Sequence, residues 1–136
     1  MILKIEVAPG ELIDKISILE IKLERLTDPQ KLKNVRHEYE ALAYVLASGV
    51  PDDPAVTTLR SELKAINETI WEIEDRIRDH ECRQDFGPSF IQLARSVYIT
   101  NDCRAGIKRQ INEWLGSQLI EEKSYTNYGP TINRTD

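Results

Sequence analysis

The stretch VTTLRSELKAINETIWEIEDRIR, residues 56–78, decides the fold class of this 136-residue chain. Its apolar side chains recur at alternating steps of three and four residues, at Val56, Leu59, Leu63, Ile66, Ile70, Ile73 and Ile77. A seven-residue repeat sustained over three heptads, with charged residues on either side, is typical of helices that pack as in a coiled coil. The stretch therefore predicts a long helix, with Asp53 as its N-cap and Pro54 at its first position.

Three other segments carry the same spacing and predict three further helices. We expect them at about residues 11–26, 29–47 and 89–115. The first of these also has apolar residues on its other sides, at Ile13, Ile18 and Ile21, as a helix does that is central or lies in a subunit interface. Because short loops favour antiparallel neighbours, the prediction is an all-α, antiparallel four-helix bundle with coiled-coil-like seams.

The two ends of the chain are predicted to lie outside the helical domain of residues 9–117. Apolar and charged residues alternate from Leu3 to Val7, which is the period of a half-buried strand, so we expect a short N-terminal β-strand over residues 1–8. Such a strand has to pair with the tail or with a second copy of the chain. The polar C-terminal tail, residues 118–136, is predicted either to be disordered or to lie across the surface.

Composition and charge narrow the classes of function. The formal net charge of −5 argues against nucleic acid as a partner, because phosphate binding needs a surplus of Lys and Arg. No apolar run approaches the roughly 18 residues of a membrane span, and the start is too short and acidic for a secretory leader, so we expect a cytoplasmic protein. His37 and His80 have no Cys or second His at ligand spacing, and no Ser–His pair indicates a triad. We therefore expect no metal, cofactor or catalytic residues.

The fourth predicted helix breaks its apolar pattern at Thr100 and Arg104, which stand where core residues are expected. The polar side chains that share the flank of Arg104 on a helical wheel are Tyr98, Asn101, Lys108 and Asn112. A guanidinium without a partner in an apolar core is very costly. Arg104 therefore has to meet a carboxylate, carbonyl groups, water or a bound anion.

Three interpretations of Arg104 remain open at this stage. It would fix helix register by pairing with an acid, for which the candidates are Glu11, Asp14, Glu68, Glu74 and Asp75. Alternatively, it would bind an anion in a cavity inside the bundle, or it would extend to the surface. For the cavity, the candidate ligand-binding residues are Tyr98, Thr100, Asn101, Arg104, Lys108 and Asn112, with Trp71 and Glu74 on the third helix.

Several strings of the sequence are similar to one known family. They are PGELIDKISILEIKLERL (9–26), INETIWEIEDRIR (66–78), DFGPSFIQLARSVYITNDCRAGIKRQIN (85–112) and EEKSY (121–125). They resemble the domain of unknown function numbered 6165, a family of small helical proteins of bacteria and some of their viruses. The resemblance covers nearly the whole chain. It implies no activity, but it marks the seam of the fourth helix and the start of the first as characteristic parts.

A second resemblance supplies an enzyme alternative. The stretch LRSELKAINETIWEIEDRIR (59–78) is similar to the first helix of the all-helical chorismate mutases. In those enzymes Arg and Lys side chains bind two carboxylates and stabilise a pericyclic transition state. Arg60 matches their leading arginine, but their second arginine would fall at Ile77, and no matching lysine motif follows.

Two functions from different classes follow from these observations. The first is a non-catalytic helical interaction or structural module, expected to be a homodimer, which an exposed apolar patch around Ile13, Ile18 and Ile21 would support. The alternative is a small enzyme or sensor that binds an anionic metabolite in the bundle interior. A cavity holding an anion beside Arg104 would support that second function.

Overall fold

The computed structural model describes residues 1–129, which contain four α-helices and no β-strand. The helices are α1 (Pro9–Arg25), α2 (Pro29–Gly49), α3 (Pro54–Arg83) and α4 (Pro88–Trp114). All four begin at a proline, a residue that suits the first turn because an N–H group there has no partner within the helix. The four predicted helices are confirmed. None of these helices in residues 1–129 combines the length and apolar character that crossing a membrane requires.

Two of the helix starts are capped by aspartate side chains, at Asp53 as the sequence predicts and also at Asp28. The Asp28 side chain accepts a hydrogen bond from the Lys31 backbone N–H at 2.9 Å, and the Asp53 side chain accepts one from Ala55 at 2.7 Å. Each bond satisfies a backbone donor that the helix leaves without a partner. At the far end of α3, Gln84 has a φ of 54° and ends the helix in the left-handed conformation.

α1 is the central helix of the fold. It packs against α2, α3 and α4. Among the described helices, α2 packs closely against α1 and against no other helix. Ile13 and Ile21 are fully buried within the chain, so the exposed patch considered for Ile13, Ile18 and Ile21 does not exist. The apolar residues on several sides of α1 are explained by its three helical neighbours.

The apolar core joins α1 to the pair formed by α3 and α4. Its buried members are Ile13, Val56, Leu63 and Ile111. Burial of one such side chain contributes about 1.5–3 kcal/mol. The contacts of α3 with α4 run from Trp114, which donates to Asp53, to His80, whose ring lies 6.2 Å from that of Phe90. The two helices therefore run in opposite directions along this pair.

The predicted N-terminal β-strand is not seen in the described chain. Ile2, Leu3 and Ile5 are 86%, 79% and 83% exposed, and residues 1–7 form no hydrogen bond or ion pair with the rest of residues 1–129. The alternating pattern is present, but a strand exists only where another strand accepts its backbone hydrogen bonds. No described segment of the chain supplies that second strand.

The C-terminal residues return along α4. We call residues 117–128 the C-terminal strap, and residues 130–136 of the predicted tail lie outside the described residues. The strap is attached by ion pairs from Glu121 to Lys108 and from Glu122 to Arg109, each at 3.4 Å. Near its end, the Tyr128 hydroxyl donates to the carboxylate of Asp102. The strap therefore lies against one flank of α4.

Candidate functional site

A buried polar network occupies the space where α1, α3 and α4 meet. Its centre is Asn67, which is 4% exposed. The amide nitrogen of Asn67 donates to Asp14 at 2.8 Å and to the Ser17 hydroxyl at 2.7 Å, and Ser17 donates in turn to the Asp14 backbone carbonyl. Both N–H groups of the amide are therefore used. The remaining amide oxygen of Asn67 faces α4.

Arg104 completes this network with two neutral partners. Its guanidinium donates to the amide oxygen of Asn67 at 3.3 Å and to that of Asn101 at 2.7 Å. Arg104 is half-buried, and no carboxylate of residues 1–129 forms an ion pair with it. The amides use two of the roughly five N–H donors of a guanidinium and leave its positive charge without a counter-ion in the described chain.

A cleft of about 560 Å³ lies beside Arg104. We call it the Arg104 cleft. α4 supplies one wall and the C-terminal strap supplies the other, and the lining residues are Val97, Tyr98, Asn101, Asp102, Arg104, Lys123, Tyr125, Thr126 and Tyr128. The volume falls in the range of about 300–1,000 Å³ that is usual for small-molecule sites.

The Arg104 cleft combines aromatic rings with cationic groups. The rings of Tyr98 and Tyr128 meet edge to face with centroids 5.0 Å apart, and the Lys123 ammonium lies 5.9 Å from the Tyr125 ring centroid. The Tyr128 hydroxyl donates to Asp102, the carboxylate of the lining. Rings of this kind offer apolar faces and polar edges, and the cations favour a negative ligand.

Lys108 lies one helical turn beyond Arg104 and has entirely different partners. Its ammonium is 2.5 Å from Glu11, 3.4 Å from Glu121 and 3.8 Å from Asp14. Burial lowers the pKa of Lys108, but the hydrogen bond to Glu11 and the attraction of the three carboxylates outweigh burial, so the pKa is raised overall. Lys108 is thus a compensated cation that ties α1 and the strap to α4.

The same cluster shifts the pKa of Glu121 in the direction expected for an ion pair. Attraction to Lys108 is the largest cause and holds the pKa of Glu121 below its usual value, against partial burial, with a smaller contribution from Lys123. The Lys123 ammonium lies 3.7 Å from the Glu121 carboxylate, so Glu121 has a second ion-pair partner within the strap itself.

Asn112 fixes the start of α1 on α4. It is 3% exposed, and its amide oxygen accepts a hydrogen bond from the Gly10 backbone N–H at 2.7 Å. A Cβ atom at Gly10 would lie 2.5 Å from the Lys108 carbonyl oxygen and 2.8 Å from the Asn112 side chain. The close approach of the two helices therefore requires glycine at this position.

The structure brings together only part of the predicted ligand-binding set. Tyr98, Asn101 and Arg104 line the Arg104 cleft, whereas Lys108 and Asn112 line a neighbouring cavity of about 180 Å³. The other three predicted residues, Thr100, Trp71 and Glu74, line neither of these two cavities.

The two predicted residues on α3 have other contacts. Trp71 packs with the Arg25 guanidinium 5.8 Å from its ring centroid, and Glu74 forms an ion pair with Arg78 one turn along the same helix. Neither interaction involves Asn67 or Arg104. The helical wheel placed Trp71 and Glu74 on the side of Asn67, but it contains no information on which neighbour each side chain meets.

The strap residues of the cleft were missed by the reasoning from sequence. Lys123, Tyr125 and Tyr128 belong to a segment without helical periodicity, so no pattern connects them with α4. The available signal was the mixture of charged and aromatic residues in EEKSY, directly after the end of α4. The complementary observation would have been the two cations of α4, Lys108 and Arg109, whose charge is opposite to that of the two glutamates in EEKSY.

Arg60, the residue matched to the chorismate mutases, lies elsewhere. It forms an ion pair with Glu20 of α1 and lines a cavity between α1, α2 and the start of α3. It does not line the Arg104 cleft.

Among residues 1–129, no group of three His, Cys, Asp or Glu side chains is placed to hold a metal ion.

The sequence matches one protein-family model over residues 3–133, which is nearly the whole chain. The chain therefore belongs to this family, which is described as a family of unknown function (DUF6165). No significant match was found among curated proteins or among solved structures.

Proposed function

We propose that this member of the DUF6165 family is a binding protein that holds a small anionic ligand in the Arg104 cleft. One observation carries the proposal: the Arg104 guanidinium, at the wall of the cleft, has two neutral amides as its partners among residues 1–129. A cation paired with a carboxylate has much of its field cancelled. A cation held by amides keeps its attraction for an anion.

The position of Arg104 makes such a ligand favourable. A half-buried charge has lost part of its hydration, and two amide hydrogen bonds restore only some of the lost stabilisation. A second cation, Lys123, stands on the opposite wall, but Glu121 at 3.7 Å offsets part of its charge. The lining also holds the Asp102 carboxylate, which accepts a hydrogen bond from Tyr128, so Arg104 is the main attraction for an anion. A phosphate or carboxylate between the two walls would accept charge-assisted hydrogen bonds from Arg104, for which guanidinium geometry is well suited.

The rest of the lining indicates what the anionic group is attached to. Tyr98, Tyr125 and Tyr128 provide most of the ring surface of the cleft. Planar or apolar ligand bodies pack well against tyrosine rings, whose hydroxyl groups also offer hydrogen bonds. The proposed ligand class is therefore a small molecule with one compact anionic group and a planar body.

Phenyl phosphate and inorganic phosphate are suitable probes of this proposal. Each is titrated into the full chain, and binding is followed by calorimetry and by amide chemical shifts of α4. We expect both to bind and phenyl phosphate to bind more tightly, because only its ring packs on the tyrosines. Arg104→Gln should raise the dissociation constant for phenyl phosphate by about tenfold or more, as loss of a charge-assisted hydrogen bond does.

Arg95→Gln is the matched control for this experiment. Arg95 is on the same helix, but its side chain is exposed and does not line the Arg104 cleft. Its replacement should leave the dissociation constant within about twofold. Equal weakening by both variants, or no binding of either probe at millimolar concentration, would contradict the proposal.

A homodimeric, non-catalytic interaction module is the second candidate function. It is supported by the exposed apolar residues Ile2, Leu3 and Ile5 and no longer by α1.

The antiparallel, coiled-coil-like packing of the whole bundle is proposed on the heptad spacing and on the opposite directions of α3 and α4. The cytoplasmic location is proposed on the absence of a long apolar run in the sequence, and the bacterial or phage origin on the resemblance to the family.

A further inference from the structure

The first seven residues form no hydrogen bond or ion pair with the rest of the described chain. We call residues 1–7 the N-terminal arm. Among the described residues, Lys4 and Glu6 have no ion-pair partner, and no backbone hydrogen bond involves the arm. Alternation places Leu3, Ile5 and Val7 on one face of an extended arm and Lys4 and Glu6 on the other.

We propose that the N-terminal arm pairs with the arm of a second copy as a two-stranded antiparallel ribbon centred on Ile5. In this register Ile5 of one chain is opposite Ile5 of the other. Lys4 is then opposite the partner subunit's Glu6, and the symmetry of the dimer repeats this pair. On the other face, Leu3 is opposite the partner subunit's Val7. The arm is therefore complementary to itself in both charge and apolar character.

Other registers of the same two arms lose this complementarity. A ribbon centred on Lys4 places two lysines opposite each other, and a ribbon centred on Glu6 does the same with two glutamates. A parallel, in-register pair has both faults at once. A shift by an odd number of residues sets charged side chains opposite apolar ones. Like charges directly opposite each other are destabilising, and opposite charges stabilise a strand pair.

The start of the C-terminal strap gives the ribbon a surface on which to pack. A two-stranded ribbon alone is marginally stable in water, so its apolar face has to be covered. The arm leaves the body where Gly10 is bonded to Asn112, and Asn112 lines the same cavity as Ile120. Leu119 and Ile120 are 43% and 39% exposed. These two residues offer apolar contacts near the base of the arm.

Exchange of the two charges tests the register. Lys4→Glu, Glu6→Lys and the double variant are compared with the unmodified chain by sedimentation equilibrium in low salt, in the full chain without added ligand. We expect the unmodified chain to reach twice its 15.7 kDa mass as concentration rises. Each single variant should raise the dissociation constant by about tenfold, because two favourable cross-strand pairs become like-charge pairs. The double variant should return to within about twofold of the unmodified chain.

A cysteine at the symmetry axis gives an independent test. Cys82 and Cys103 are exposed and free, so both are first replaced by serine. In that background Ile5→Cys should form a disulfide-linked dimer on mild oxidation. Leu3→Cys is the matched control, since two such positions would lie about 14 Å apart along the ribbon, beyond the roughly 7 Å that a disulfide spans.

Three outcomes would overturn the proposal. The first is a mass of 15.7 kDa at every concentration up to the millimolar range. The second is a dimer that the single charge changes leave unaffected, which would place the interface elsewhere. The third is equal cross-linking at Leu3 and Ile5, which would show collision of mobile arms. None of these results depends on ligand binding at Arg104.

Discussion

Arg104 and Lys108 lie one turn apart on the same flank of α4, yet their partners in the described chain differ in charge. Lys108 is surrounded by Glu11, Asp14 and Glu121, which come from α1 and from the strap. Arg104 is held by the amides of Asn67 and Asn101. The first arrangement joins segments of the fold, and the second leaves a positive charge available beside a cleft.

This difference shows that a polar residue at a seam does not by itself reveal its role. The acid pairing considered for Arg104 is found at Lys108, with Glu11 and Asp14 as two of the partners named from the sequence. What distinguishes the two positions is the charge of the side chain that each meets across the helix interface. The comparison predicts that the two cations respond differently to replacement.

Lys108→Met should have the largest effect on stability. Asp14 is 6% exposed, and the change removes its cation while leaving the carboxylate buried. Loss of one partner from a buried ion pair costs about 3 kcal/mol of unfolding free energy, measured by chemical denaturation. Lys64→Met is the matched control, since Lys64 pairs with the half-exposed Glu24 and Glu68 and should cost less than about 1 kcal/mol. Equal losses in the two variants would show that burial of Asp14 is unimportant.

Gly10→Ala should have the next largest effect. The added Cβ would meet the Lys108 carbonyl oxygen at 2.5 Å, which forces α1 away from α4. Overpacking against backbone costs about 2 kcal/mol of unfolding free energy. Gly106→Ala, on α4 with open space around it, is the control and should stabilise the helix by about 0.5–1 kcal/mol. A neutral Gly10→Ala would show that α1 and α4 have room to separate.

The sequence predicted the helices because their physics is local. Heptad spacing, Asp28 and Asp53 as caps, and proline at each helix start all act within a few residues. It also placed Tyr98, Asn101 and Arg104 on one flank, because a helical wheel is set by geometry alone. The neighbours of that flank depend on how α1 and the strap cross α4, and no periodic pattern encodes that crossing.

The N-terminal arm shows the converse case. Its alternation predicts a strand, and that prediction is wrong for residues 1–129. A strand is a property of two paired segments, and no described segment of the chain pairs with the arm. The apolar sides of α1 were ambiguous for a similar reason. The same pattern fits a central helix and an interface helix, and only the positions of α2, α3 and α4 distinguish them.

Arg104→Leu tests the difference between the two cations, because its expected effect on the unfolding free energy is small. If Arg104 serves a ligand, the change removes a half-buried charge, which is favourable, but leaves the buried Asn67 amide oxygen without its donor. The net loss of unfolding free energy should therefore be about 1 kcal/mol, well below that of Lys108→Met. Chemical denaturation in ligand-free buffer measures the difference from Lys108→Met directly. A loss as large as that of Lys108→Met would instead assign Arg104 a structural role and remove the distinction between the two cations.

The smallest effect concerns Glu121, the strap's partner of Lys108. Its pKa is lower in the folded chain than in the unfolded one, so the unfolded chain binds more protons as the pH falls past the usual pKa of a glutamate. The stabilisation is therefore complete above that usual pKa and is lost as the pH falls through the lower, folded value. Glu121→Gln should cost about 0.5 kcal/mol near neutral pH, because its carboxylate is exposed to solvent and Lys108 keeps two other carboxylate partners. Denaturation of both chains at decreasing pH should show this difference disappearing on the acid side. A difference that stays constant down to acid pH would mean that Glu121 acts through packing and not through its charge.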